Sequence, residues 1–301
     1  MITVFGSINA DFILALKDFP APKETVLCPS YEIKIGGKGA NQAAAASLSG
    51  GSVEMFGTVG RDDFGSFAKG KMAHKGVDIS NIKEGDAPTA VAIVMVDSKG
   101  ENSIVVASGA NLLSKAEDVP DEALSNDKVL VLQMEVSKEE NFKLLKRAKK
   151  LGAKTILNVA PAAELPNDIL PFVDYLIVNE VEALMVAKSL KIKGSDIAVI
   201  LKKISEVSKG VCIATLGGDG VLAVSDKEEI KVEAIKIKPV DTTGAGDAFV
   251  GIFAAAVDEG LNLKDALKRA SVGASLACLG LGAQEALPTR NDILVKIAEE
   301  A

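Results

Sequence analysis

The sequence predicts an α/β fold: a mostly parallel central sheet with helices on both faces, three layers α/β/α, and a small second β-sheet beside it. Three observations predict it. Continuous apolar runs at Val129–Leu132, 155–157, 175–178 and Val211–Thr215 read as strands buried on both faces. Amphipathic stretches at Lys138–Leu151 and Ile197–Ser208 alternate with those runs, the order that yields parallel strands joined by right-handed crossovers. Residues 11–35 and 89–106 break this rhythm, with alternating patterns and no convincing helix.

In chain order, residues 1–6 read as the first strand rather than a signal peptide, because no basic stretch precedes an apolar one. Segment 11–35 ends at the glycine pair Gly36-Gly37, and a helix follows over 39–48. Residues 71–76 read as a helix C-terminus that leaves His74 on the surface. In the second off-rhythm segment, 90–97 and Asn102–Ala107 flank Ser98-Lys99-Gly100-Glu101, a hairpin turn signal. The two segments together are expected to make the small sheet. The helix Lys138–Leu151 stops at Gly152, a normal C-cap. A strand is predicted over 232–237, then a glycine-rich turn, then a helix running to Glu259. No repeat or low-complexity tract divides the chain, so a single unit over 1–301 is expected.

Composition excludes several classes. A formal net charge of -7 argues against a nucleic-acid binder, although a local site can still attract an anion. The three cysteines, Cys28, Cys212 and Cys278, are scattered, which fits a reducing cytosol better than a disulfide framework. His74 is the only histidine, so a His-based zinc site or a Ser-His-Asp triad has no other residue to use. No apolar run is long enough to span a bilayer, and a cytoplasmic enzyme is the expectation.

Four segments carry chemistry. In Asp241-Thr242-Thr243-Gly244-Ala245-Gly246-Asp247-Ala248-Phe249, two glycines let backbone N–H groups approach an anion at a helix start. Such a turn can stabilise a transferring phosphoryl group while Asp247 takes a proton from an attacking hydroxyl. The alternative is a plain glycine turn with Asp247 as N-cap. Gly36-Gly37-Lys38-Gly39-Ala40-Asn41-Gln42-Ala43 reads as a hinge at which a ligand meets backbone, with Asn41 offering a donor and an acceptor, or else as an ordinary turn before a helix. Thr215-Leu216-Gly217-Gly218-Asp219-Gly220 follows a buried strand, where open α/β sheets bind ligands; a hairpin turn also explains it. Asn179 and Glu182 fall at a helix start after another strand, suited either to hydrated Mg²⁺ or to capping. Glu135 and Asp11 sit at probable strand ends and, taken singly, are ordinary surface acids. Neither a P-loop nor a dinucleotide fingerprint occurs.

Taken together, these segments resemble the ribokinase family of PfkB-type sugar kinases over essentially the whole chain. Gly6-Ser7-Ile8-Asn9-Ala10-Asp11 resembles the family's opening sugar segment, 37–42 its second, and 241–249 its catalytic signature. The resemblance implies that Asn9, Asp11, Gly37, Lys38, Asn41 and Glu135 hold the sugar, and that Asp247 activates its primary hydroxyl. It implies an anion hole at Gly244, Ala245 and Gly246. It further implies nucleotide contacts from Asn179, Thr215, Gly217, Gly220, Gly246 and Ser271, and a Mg²⁺-associated acid in Glu182. A monovalent cation site, K⁺ in this family, is implied at Asp241 and the carbonyls of Thr243, Ala277, Gly280 and Gly282. Two positions depart: Ala286 stands where a serine is usual and offers no side-chain oxygen, and Val159 stands where proline is frequent. The small sheet, about 11–35 and 89–106, would be a lid and a homodimer contact. The implied activity is phosphorylation of D-ribose at O5 by MgATP. Alternatives are a kinase for 2-deoxyribose, fructose or a nucleoside, and a catalytically silent sugar-binding regulator.

Overall fold

The computed structural model describes residues 1–300. Its strands in chain order are β1 (Ile2–Phe5), β2 (Asn9–Ala15), β3 (Tyr31–Gly36), β4 (Val53–Gly60), β5 (Ile82–Gly85), β6 (Ala90–Val96), β7 (Asn102–Ala107), β8 (Val129–Leu132), β9 (Lys154–Asn158), β10 (Tyr175–Asn179), β11 (Val211–Thr215), β12 (Val221–Val224) and β13 (Glu229–Val232). The helices are α1 (Lys38–Leu48), α2 (Asp63–His74), α3 (Lys138–Leu151), α4 (Glu180–Ser189), α5 (Ile197–Ser208), α6 (Ala245–Asp258), α7 (Leu263–Ala277) and α8 (Arg290–Glu299).

The main sheet runs β13-β12-β11-β10-β9-β8-β1-β4-β5, and only β12 runs antiparallel to its neighbours. Its strands read as continuous apolar runs because neighbouring residues face different cores. Val129 and Val131 join Ile2 and Val4 in the core beneath α1, α6 and α7. Leu130 and Leu132 join Phe5 in the core beneath α3, α4 and α5. The second sheet runs β3-β2-β6-β7, with β2 parallel to β6, so the two off-rhythm segments do meet. Residues 16–30 between β2 and β3 form no strand, and Pro20, Pro22 and Pro29 within them lack the N–H a ladder needs.

Three expectations need correction. The strand over 232–237 stops at Val232, which pairs with Val221, the first residue of β12. Before Val221 the chain turns through Gly217–Asp219, so residues 233–237 find no partner. Asp11 is the third residue of β2 rather than a strand end, because β2 starts at Asn9 in the small sheet. The first helix begins one residue early, at Lys38. His74 lies exposed at the end of α2, as expected. Among the described residues, no helix is long and apolar enough to cross a membrane.

One close approach sets the site. A Cβ at Gly251 of α6 would lie 2.3 Å from the Gln42 carbonyl oxygen and 2.7 Å from Ala45 Cβ on α1. The alanine run 43–46 and Gly251 thus let the two helices nearly touch, which brings their first turns together. We expect Gly251→Ala to force the helices apart and cost about 1–3 kcal/mol, the usual range for overpacking. A denaturant midpoint unchanged from wild type would contradict this.

Candidate active site

The carboxyl ends of β1, β8, β9, β10 and β11 share one rim of the parallel sheet, where such folds bind ligands. Two cavities open there. The first, about 610 Å³, lies between the small sheet and the body and is lined by Asn9, Asp11, Gly37, Lys38, Asn41, Glu135 and Asp247. Every residue expected to hold the sugar is therefore in one place. Asp241, Thr243, Gly244 and Gly282 also reach it. The second, about 430 Å³, is lined by Thr215, Gly217, Gly220, Ala245, Gly246 and Ser271. The 233–237 segment that fails to form a strand supplies another wall of it through Ala234, Ile235, Lys236 and Ile237.

The first turn of α6 stands between the cavities. Gly244 and Asp247 face the first, Ala245 and Gly246 the second. Gly244 takes φ 77°, and a Cβ there would lie 2.8 Å from Ala283, so only glycine fits. Asp247 is not the N-cap; Gly244 is. The Asp247 carboxylate instead accepts from Asn41 Nδ2 at 3.0 Å and from Gln42 Nε2 at 2.9 Å. Asn41 is thus more committed than its sequence suggests, since its Oδ1 also accepts from Gln284 Nε2 at 2.9 Å. The Ala245 N–H already donates to Thr242 O at 3.2 Å, a long bond.

Around Asp247 the charges are mixed. The Asp247 carboxylate raises the Lys38 ammonium above its ordinary range, against the opposing effect of burial, with Glu135 and Glu182 adding to it. Burial pushes Asp11 up to about 7, helped by the negative charges of Glu135, Asp247 and Glu285. Asp11 lines the cavity, and its Oδ1 is buried with no hydrogen-bond partner among the described residues. Glu135 accepts from Ser7 Oγ at 2.6 Å and from the Lys38 N–H at 3.0 Å, which ties the ends of β1 and β8 to the start of α1.

Asn179 and Glu182 line neither cavity. They form a capping box: Asn179 Oδ1 accepts from Glu182 N at 2.8 Å, and Glu182 Oε2 accepts from Asn179 N at 2.7 Å. Burial raises the Glu182 carboxyl, opposed by the Asn179 N–H and the Lys38 charge. Its Oε1 makes no hydrogen bond among the described residues.

Of the residues expected around a monovalent cation, Thr243 and Gly282 are tied to Asp241. Asp241 accepts from Thr243 N and from Gly282 N, both at 2.9 Å. The N–H groups of Val240 and Asp241 donate to Cys278 O, just past Ala277 at the end of α7. Partial burial pushes Asp241 up, but the hydrogen bonds from Thr243 and Gly282, with the Lys34 charge, hold it below the usual carboxylate range. A Cβ at Gly280 would sit 2.9 Å from Ala286 Cβ, so Ala286 faces this turn with a methyl group only.

Sequence reasoning passed over three buried amides: Gln42, Asn158 and Gln284. Asn158 had one signal, a polar residue closing an apolar strand run.

Comparisons with known proteins identify the family. A model described as pfkB family carbohydrate kinase matches residues 1–290. The chain is 34% identical over 298 residues to a ribokinase of Haemophilus influenzae, covering 97% of each. It is similar to the crystal structure of a ribokinase from Thermotoga maritima, with TM-score 0.94 and 31% identity over 99% of both chains. It is also similar to an Arabidopsis thaliana ribokinase complexed with ribose and ATP, with TM-score 0.89, 30% identity, and coverage of 98% of this chain and 97% of that one. A family match across 290 residues, over a fold with paired cavities, has one conclusion: the chain belongs to the pfkB family of carbohydrate kinases.

Proposed function

We propose that this kinase phosphorylates D-ribose at O5 with MgATP, giving D-ribose 5-phosphate and ADP. The observation that carries the reading is the first turn of α6, which stands between two cavities with Asp247 turned into one of them. Ribose occupies the first cavity. Asp11 Oδ1 accepts from a sugar hydroxyl, and Asn9, Gly37, Lys38, Asn41 and Glu135 complete the wall. The nucleotide lies in the second cavity against Thr215, Gly217, Gly220, Gly246 and Ser271. Gly217 suits close approach, since a Cβ there would meet nothing within 4 Å.

Asp247 accepts the proton of the 5-hydroxyl as the oxygen forms its bond to the γ-phosphorus. The bond from that phosphorus to the ADP oxygen breaks, and ADP leaves with the electron pair. The N–H groups of Gly244, Ala245 and Gly246 stabilise the charge on the transferred group, with Ala245 giving up its long bond to Thr242. Lys38 adds a fixed positive charge near Asp247.

Asn179 supports the nucleotide side through the capping box rather than from a cavity wall. Glu182 would orient hydrated Mg²⁺ through its unengaged Oε1, and the ion would supply neutralisation of phosphate charge. Asp241 with the carbonyls of Thr243, Ala277, Gly280 and Gly282 would hold K⁺, water taking the place that Ala286 leaves without an oxygen.

The small sheet, about 11–35 and 89–106, acts as a lid that closes over the sugar and excludes water. It belongs to one catalytic unit over 1–301. The exposed edge strand β7, with Ile104, Val105 and Val106 open to solvent, supports a homodimer through this sheet. Three free thiols suit a cytoplasmic location.

The test is ADP release from MgATP with D-ribose, 2-deoxyribose, fructose, adenosine or no sugar, each with and without K⁺. Ribose-dependent release well above the rest is the expected result. Release with another sugar alone would move the specificity, and release with none would overturn the kinase reading.

A further inference from the structure

Four buried amides, Asn41, Gln42, Asn158 and Gln284, are linked to Asp247, the first two directly. Gln42 Nε2 donates at once to Asp247 Oδ1 at 2.9 Å and to Asn158 Oδ1 at 3.1 Å. Asn158 is itself anchored, its Nδ2 donating to Ile177 O at 3.2 Å. On the other side, Gln284 Nε2 donates to Asn41 Oδ1 at 2.9 Å, and Asn41 Nδ2 donates to Asp247 Oδ2 at 3.0 Å. The Gln284 backbone carbonyl accepts from Lys75 Nζ at 3.0 Å. Each oxygen of the carboxylate is therefore gripped by its own chain of amides.

The direction of every bond follows from the carboxylate. An ionised aspartate only accepts, so Asn41 and Gln42 must both present their NH₂ groups. That leaves Asn41 Oδ1 to take the Gln284 amide. A flipped Gln42 would set its oxygen against two other acceptors. The arrangement has a cost: Oε1 of Gln42 and Oε1 of Gln284 are both buried without a partner among the described residues. An apolar residue at position 42 would avoid that cost but would take the donor away from both Asp247 Oδ1 and Asn158 Oδ1.

We infer that Gln42, and Gln284 acting through Asn41, are positioning residues that fix the plane of the Asp247 carboxylate so that its remaining lone pairs face the first cavity. The inference rests on Asp247 being the base of the proposed reaction. A base held in one plane meets the hydroxyl in a reactive geometry; one free to rotate spends most of its time elsewhere. Because Gln284 follows Gly282 and Ala283, the turn clamped by Asp241 is tied mechanically to the catalytic aspartate, 243 positions separating Asn41 from Gln284.

The test uses Gln42→Met and Gln284→Met, which keep side-chain length and remove the amide. In each, kcat should fall about tenfold to a hundredfold, the scale of a misplaced catalytic group, with KM for sugar and ATP moving less than threefold. In an Asp247→Asn background, Gln42→Met should bring no further loss, because the residue it positions is already disabled. A crystal structure of Gln42→Met should show the Asp247 carboxylate rotated. Turnover within threefold of wild type in both variants, or a full additive loss in the Asp247→Asn background, would overturn the inference. The crystallographic readout needs no activity. If wild type turned over no sugar, the proposed function would fail, and an unmoved carboxylate would overturn the positioning role while a rotated one would uphold it. If one variant does not fold, the other tests the same carboxylate from its opposite oxygen.

Discussion

Asp247→Asn should lower turnover by ~100-fold or more, the usual scale for removal of a general base, while the fold stays intact. The two side chains have the same shape, so the loss would be chemical. Asparagine cannot take the hydroxyl proton. Its NH₂ would also face one of the two donors, Asn41 Nδ2 or Gln42 Nε2, that now point at a carboxylate oxygen. One local amide must turn to relieve that clash. A small drop in Tm is therefore expected alongside a near-wild-type circular dichroism spectrum. Sugar KM should change little, because Asn9, Asp11 and Glu135 remain in the cavity wall. Turnover close to wild type in a correctly folded variant would remove Asp247 from the mechanism.

Asp11→Asn should have the opposite signature: a more stable protein that binds sugar worse. Burial, with Glu135, Asp247 and Glu285 nearby, lifts Asp11 from 3.8 to about 7. The folded protein thus holds a proton between those values that the unfolded chain releases. Stability falls as pH rises from about 4 to about 7 and stays at its lower level above. The rise of roughly three units sets a ceiling of about 4 kcal/mol on this destabilisation. Asparagine removes the charge, so its Tm gain over wild type should be several degrees at pH 8 and fade toward pH 4. Binding runs the other way. Above pH 7 the open Oδ1 belongs to a charged acceptor, and charge-assisted hydrogen bonds are about twice as strong as neutral ones. Wild-type sugar KM should therefore fall as pH rises from 6 to 8.5. In Asp11→Asn it should be at least about tenfold higher and flat across that range. A wild-type KM that does not move with pH, together with an unchanged KM in the variant, would take Asp11 out of sugar recognition. The trade is typical of a site that keeps a strained charge for its ligand.

Much of this protein was legible in the order of its residues. Apolar runs such as Val129–Leu132 fixed strands with two buried faces, because adjacent side chains must point to opposite cores. The Gly244 turn marked the start of α6 because a left-handed residue there admits no Cβ. Those are short-range constraints, and a linear pattern records them. The end of β13 was not legible: apolar residues continue through 233–237, but the pairing partner runs out at Val221. Whether Asn179 and Glu182 meet a ligand or cap a helix was equally open in the sequence, and the folded chain closes the capping box between them. The amides behind Asp247 come from α1, from the end of β9 and from the turn after α7, and no local pattern links them. Asp11 lies far along the chain from Glu135, Asp247 and Glu285, yet shares their field once folded. Electrostatic and hydrogen-bond energies depend on distance through space and on the exclusion of water, and both come into being only when the helices and sheets pack.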